Sequence, residues 1–75
     1  MRGEFLLSEE AIKTSFGMRV RSIREASNMS QEKLAELSGL HRNYISDIER
    51  GRRNISIIAV YKIAKALDVK PGELL

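Results

Sequence analysis

The residues best equipped for chemistry fall in one short run: Arg42, Asn43, Ser46, Asp47 and Arg50. Steps of one, three and four keep such side chains on one face of a helix. They do not make a catalytic set. The chain has one histidine and no cysteine, and its carboxylates form no converging nucleophile–base pair or metal cage. What they can do is hydrogen-bond to base edges. Arg42 suits guanine O6 and N7, Asn43 suits adenine N6 and N7, and Ser46 suits either. Asp47 can accept from cytosine N4, or it can orient Arg50 or Arg42 instead. A solvated helix face carries the same residue types, so the surroundings decide.

Those surroundings run from Gln31 to Arg50, QEKLAELSGLHRNYISDIER. The pattern predicts two short helices joined at Gly39, a helix-turn-helix unit. Ala35 is small where the second helix must cross the first. Gly39 can take the positive φ that ends one helix and re-aims the chain. Leu34, Leu37, Ile45 and Ile48 are expected to face inward together. Ser30 caps the first helix, with Met29 and Leu34 at staple spacing. His41 caps the second, expected over Arg42–Arg50, with Gly51 just beyond it.

At these residues the chain resembles the helix-turn-helix of the phage-repressor-like (Cro/C1, Xre) family. The run GLHRNYISDIERGRRNISI is similar to controller proteins of restriction–modification systems. The resemblance extends from about Phe16 to Leu74. It implies a lambda-repressor-like DNA-binding domain of bacterial or phage origin, with Arg42, Asn43, Ser46 and Asp47 at base-facing positions. It also implies a Tyr44 hydroxyl near the sugar–phosphate backbone and a buried, structural ion pair between Arg24 and Glu49. Glu32 and Glu36 match acids with which related repressors touch the polymerase sigma subunit, although exposed helix-forming glutamates would look the same.

Phosphate contacts need donors at the groove edges. Ser30 and Gln31, at a helix N-terminus, offer backbone N–H groups and a favourable dipole. Arg50, Arg52, Arg53 and Asn54 stand at the opposite flank, and His41 is either a plain cap or a further phosphate contact. The charge distribution agrees. Residues 1–40 carry six basic and six acidic side chains, whereas residues 41–75 carry seven basic and four acidic.

The rest of the chain supplies the support. Residues 1–7 are expected to be a lead-in segment or partial tag, with Phe5, Leu6 and Leu7 apolar enough to pack on something. Residues 8–75 form a single domain. Ser8, Glu9 and Glu10 read as a helix start, and Ile12, Phe16, Val20 and Ile23 form one apolar stripe. Gly17 lies inside that helix at a cost of about 1 kcal/mol against alanine, and Asn28 is read as a left-handed stop. Ser56 caps a fourth helix with Ile57, Val60, Ile63, Ala64 and Leu67 inward, and Pro71 opens a one-turn fifth helix. The fold expected is all-α with five helices.

A module of this size reads only a few base pairs, so a homodimer on a palindromic operator is expected. Ile57, Tyr61, Leu74 and Leu75, with Phe5, are the interface candidates. The partners expected are double-stranded DNA, a second copy, the sigma subunit and no membrane. No cofactor, metal or enzymatic activity is expected, and the location is cytoplasmic. The function expected is a sequence-specific transcriptional regulator of a restriction–modification operon. A phage-type repressor or antitoxin module uses the same chemistry. An RNA-binding or protein-interaction domain is the alternative of a different class, disfavoured because Phe5, Phe16, Tyr44 and Tyr61 form no stacking platform.

Overall fold

The first helix, α1 (Glu9–Ala26), starts where Ser8 Oγ accepts from the Ala11 N–H at 3.1 Å, with Glu9 and Glu10 in the first turn. The computed structural model describes residues 8–75, so Met1 to Leu7, Phe5 included, lie outside the described residues. Among the described residues, four α-helices run in order: α1, α2 (Gln31–Ser38), α3 (Arg42–Glu49) and α4 (Ile57–Leu67). A 3-10 turn spans Pro71–Leu74, so the expected fifth α-helix is corrected. Its N–H groups reach only three residues back, from Glu73 to the Lys70 carbonyl and from Leu75 to the Gly72 carbonyl. No strand occurs among the described residues. No described helix is long and apolar enough to cross a membrane.

Each α-helix starts at a side-chain cap: Ser8, Ser30, His41 and Ser56. Three of them end on a left-handed residue that closes a Schellman pair of bonds. At α1, Asn28 has φ 56°; its N–H donates to the Glu25 carbonyl and that of Met29 donates to Arg24. At α3, Gly51 donates to Ile48 and Arg52 to Asp47. At α4 the left-handed residue is Asp68, φ 59°, which the sequence pattern does not flag. The α2 end is simpler, with Gly39 at φ 75° donating to the Ala35 carbonyl. The helix α3 therefore stops one residue earlier than expected, and Arg50 is its cap.

The core joins Phe16 and Val20 of α1, Leu34 and Ala35 of α2, Ile45 and Ile48 of α3, and Val60, Ile63, Ala64 and Leu67 of α4. Three inward expectations and one outward one are revised. Leu37 is half exposed, because the inward row of α2 is completed by Ser38, whose hydroxyl donates to the Ala35 carbonyl and accepts from the Leu40 N–H. Ile12 and Ile57 face outward over an open groove that also involves Phe16, Tyr61 and Leu75. Leu74 errs in the other direction. The sequence places it among the interface candidates, yet the 3-10 turn folds it under α4 and α1 until only 1% of it is exposed.

Candidate nucleic-acid interface

Two features orient α3 before any ligand is considered. The first is a buried ion pair. Arg24 Nε donates to Glu49 Oε2 at 2.7 Å and Arg24 Nη2 to Glu49 Oε1 at 2.9 Å. Arg24 Nη1 also donates to the Met29 carbonyl at 2.6 Å, and Gln31 Nε2 donates to Glu49 Oε1 at 3.0 Å. One clamp thus ties α1, the entry of α2 and the end of α3. The Glu49 hydrogen bond outweighs the cost of burial and raises the Arg24 pKa further above its already high ordinary value. The second feature is Gly17. A Cβ built there would lie 2.1 Å from the Ile48 carbonyl oxygen and 3.0 Å from that of Glu49. The backbone end of α3 rests directly on α1, which only a residue without a side chain allows.

With its inner face held by Ile45 and Ile48, α3 turns the other face outward. Arg42, Asn43 and Arg50 are exposed, and Ser46 and Asp47 are half-buried beside them. Arg42 is not free: its Nε lies 3.3 Å from Glu32 Oε2 on α2. Asp47 orients neither Arg42 nor Arg50. It faces Arg53, whose Nε lies 3.5 Å from Asp47 Oδ2 and whose guanidinium sits 4.9 Å from the centroid of the Tyr44 ring. Asp47, Tyr44 and Arg53 form one cluster at the α3 exit. The half-buried Tyr44 ring is therefore both core-supported and capped by a cation.

On the other flank, Ser30 Oγ accepts from the Lys33 N–H at 2.9 Å, and the first bond within α2 runs from the Leu34 N–H to the Ser30 carbonyl. The Gln31 and Glu32 N–H groups are left at the helix end. The Gln31 side chain is drawn inward to Glu49, so any phosphate contact from this residue falls to its backbone. His41 Nδ1 accepts from the Asn43 N–H at 3.0 Å, a cap that pre-forms the first turn of α3. Arg52 and Asn54 are exposed beyond Gly51. Glu36 is exposed on the outer face of α2, 3.4 Å from Lys33 Nζ.

Two associations escape the sequence pattern: Glu32 with Arg42, and Tyr44 with Asp47 and Arg53. Each joins residues across a turn, the first through the crossing of α2 and α3 and the second through the loop after Gly51 folding back on α3, and linear spacing carries no sign of either. Among the described residues no three His, Asp or Glu side chains are grouped to hold a metal ion. The outward face is a hydrogen-bonding surface of donors with two carboxylates set behind them.

The chain matches the family described as helix-turn-helix over residues 20–74. It is 60% identical over 65 residues to the control protein C.BamHI of Bacillus amyloliquefaciens, covering 85% of this chain and 80% of that one. Among solved structures, it is similar to the restriction–modification controller protein C.AhdI from Aeromonas hydrophila. That match has 49% identity and a TM-score of 0.85, and covers 87% of this chain and 98% of that one. It is also similar to the controller protein C.Esp1396I, whose tetramer was crystallised with its natural 35 base-pair operator. There the identity is 40%, the TM-score 0.75, and the coverage 77% of this chain and 76% of that one.

Proposed function

The chain belongs to the helix-turn-helix family, among the restriction–modification controller proteins, and from that premise we propose that it regulates such an operon by binding a palindromic operator as a homodimer. One observation carries the proposal. The helix α3 buries Ile45 and Ile48 completely or nearly so while presenting Arg42 and Asn43 to solvent on its first turn. A helix in a major groove reads base edges from that end. Arg42, Asn43 and Ser46 are assigned to bases. Asp47, engaged with Arg53, is assigned to holding that arginine. The Ser30–Gln31 backbone, His41, Tyr44, Arg50, Arg52, Arg53 and Asn54 are assigned to the sugar–phosphate edges, where contacts set register without reading sequence.

For the second copy, Ile57, Tyr61 and Leu75 supply exposed apolar surface around one groove, at 70%, 59% and 80% exposure. Their grouping around one groove supports a shared interface. The acidic outer face of α2 supports a contact with the polymerase sigma subunit. Reversing the charge of Glu36 should abolish activation in a reconstituted promoter while leaving operator binding intact; activation that persists refutes that contact. The main proposal is tested by selecting bound sequences from a random pool and footprinting the winner. A two-fold symmetric site with half-sites about 10 base pairs apart is expected. Enrichment of no sequence, or of an unpaired half-site, would overturn it.

A further inference from the structure

We infer that Glu32 is a positioning residue for Arg42, holding the guanidinium by its Nε edge so that the two terminal nitrogens face a guanine. The inference rests on the assignment of Arg42 to a base, made above. Its carrier is the 3.3 Å contact between Arg42 Nε and Glu32 Oε2. This contact crosses between the two helices of the motif, from the first turn of α2 to the first residue of α3. It is an ion pair whose nearest approach is at Nε, on the side of the guanidinium, and the terminal nitrogens make no hydrogen bond within the chain's described residues. Guanine O6 and N7 take two parallel N–H donors, and Nη1 and Nη2 remain for them. A long arginine side chain otherwise loses rotamer freedom on docking; one held in advance has less to lose.

Glu32 is itself steadied, since a carboxylate in the first turn of a helix interacts favourably with the dipole. Its charge nevertheless sits beside the α2 N-terminus, where a phosphate is assigned, and repels DNA of any sequence. The arrangement therefore has a two-sided signature. Glu32 lowers affinity for all DNA and raises discrimination at one base pair. A merely solvated ion pair has the first effect without the second. A carboxylate that competes with DNA for Arg42 has the opposite second effect. One practical consequence concerns the polymerase contact: charge reversal at Glu32 disturbs DNA reading, so the activation test belongs on Glu36.

The test measures affinities of the full chain by fluorescence anisotropy. The duplexes are the selected operator, the same operator with its half-site guanines replaced one position at a time, and a random duplex. The proteins are the unsubstituted chain, Glu32→Ala, Glu32→Gln, Arg42→Ala and the double variant Glu32→Ala/Arg42→Ala, each checked for helicity. Both side chains are half exposed or more, so folding should survive. In Glu32→Ala, random-duplex binding should tighten, and discrimination at the guanine read by Arg42 should fall about tenfold, some 1.4 kcal/mol. Glu32→Gln, which keeps an oxygen acceptor, should recover part of it. In the Arg42→Ala background the Glu32 change should no longer alter discrimination. If Glu32→Ala leaves discrimination unchanged or raises it while Arg42→Ala removes it, the inference fails and the base assignment stands. If Arg42→Ala itself changes discrimination at no guanine, the base assignment fails and the inference goes with it.

Discussion

Arg42 and Arg53 carry the same charge into different surroundings, and the difference should be measurable. Arg42 stands at the tip of α3 with its terminal nitrogens free, whereas Arg53 is folded over Tyr44 and against Asp47. Arg42→Ala is expected to cost about 1–3 kcal/mol on the cognate site and to relax choice at one position. Arg53→Ala is expected to weaken binding to all sequences about equally. Titrations on cognate and random duplexes check this, and equal losses on random DNA would remove the distinction. Glu49 is a different kind of residue. It accepts from Arg24 and Gln31 in the interior, so Glu49→Ala strips a buried guanidinium of its close carboxylate, leaving the Met29 carbonyl and Glu25 at 4.0 Å, and should cost about 3–5 kcal/mol of stability. Thermal denaturation should show unfolding before any change in operator preference. The pH dependence of the pair follows from the raised Arg24 pKa. A base with a raised folded pKa gives its full contribution below its unfolded pKa, and loses it only as pH rises through the folded one. Both lie far above neutrality, so Arg24 should add no slope to stability between about pH 6 and 9.

Between elements, the closest approach is α1 against the end of α3 at Gly17, and it makes a sharp prediction. Alanine normally strengthens a helix by about 1 kcal/mol over glycine. Here Gly17→Ala drives a methyl into the Ile48 carbonyl, and should destabilise by about 1–3 kcal/mol or more as α3 is pushed away. A melting temperature raised by the substitution would contradict the packing. Gly39 works differently, because a Cβ there meets nothing within 4 Å and only its φ of 75° resists substitution. Much of this architecture was legible in the residues. Ser8, Ser30, His41 and Ser56 mark the helix starts, Asn28 and Gly51 two of the stops, and Leu34, Ala35, Ile45 and Ile48 the buried seam. What was not legible depends on three-dimensional crossing. Leu37 and Ser38 are adjacent, and only the packing of α2 against its neighbouring helices decides which turns inward. Leu74 and Leu75 are likewise adjacent and alike, yet the tight 3-10 turn buries one and exposes the other. At the interface, the exposed donors of α3 followed from the helical period. The carboxylates that hold them, Glu32 for Arg42 and Asp47 for Arg53, did not, because both contacts cross a turn.

At the scale of the whole molecule, the described residues expose donors on α3 and apolar side chains, Ile57, Tyr61 and Leu75, around a groove beside α4. Placing a charge on the apolar side, as Ile57→Glu with Tyr61→Glu, should give a monomer by sedimentation and lower operator affinity while helicity is kept; a dimer that survives both would move the interface elsewhere. Binding should also fall steeply with salt, roughly 10³–10⁵-fold between 50 and 200 mM if about six to ten phosphates are contacted. These behaviours would follow from many modes of binding DNA, so the decisive measurement concerns the groove. It is methylation interference on the selected operator, scored separately at guanine N7 in the major groove and adenine N3 in the minor groove. Guanine N7 methylation at symmetric positions in both half-sites should block the unsubstituted chain, and Arg42→Ala should be indifferent to it. Interference confined to adenine N3, or none at any guanine, would contradict the entry of α3 into the major groove.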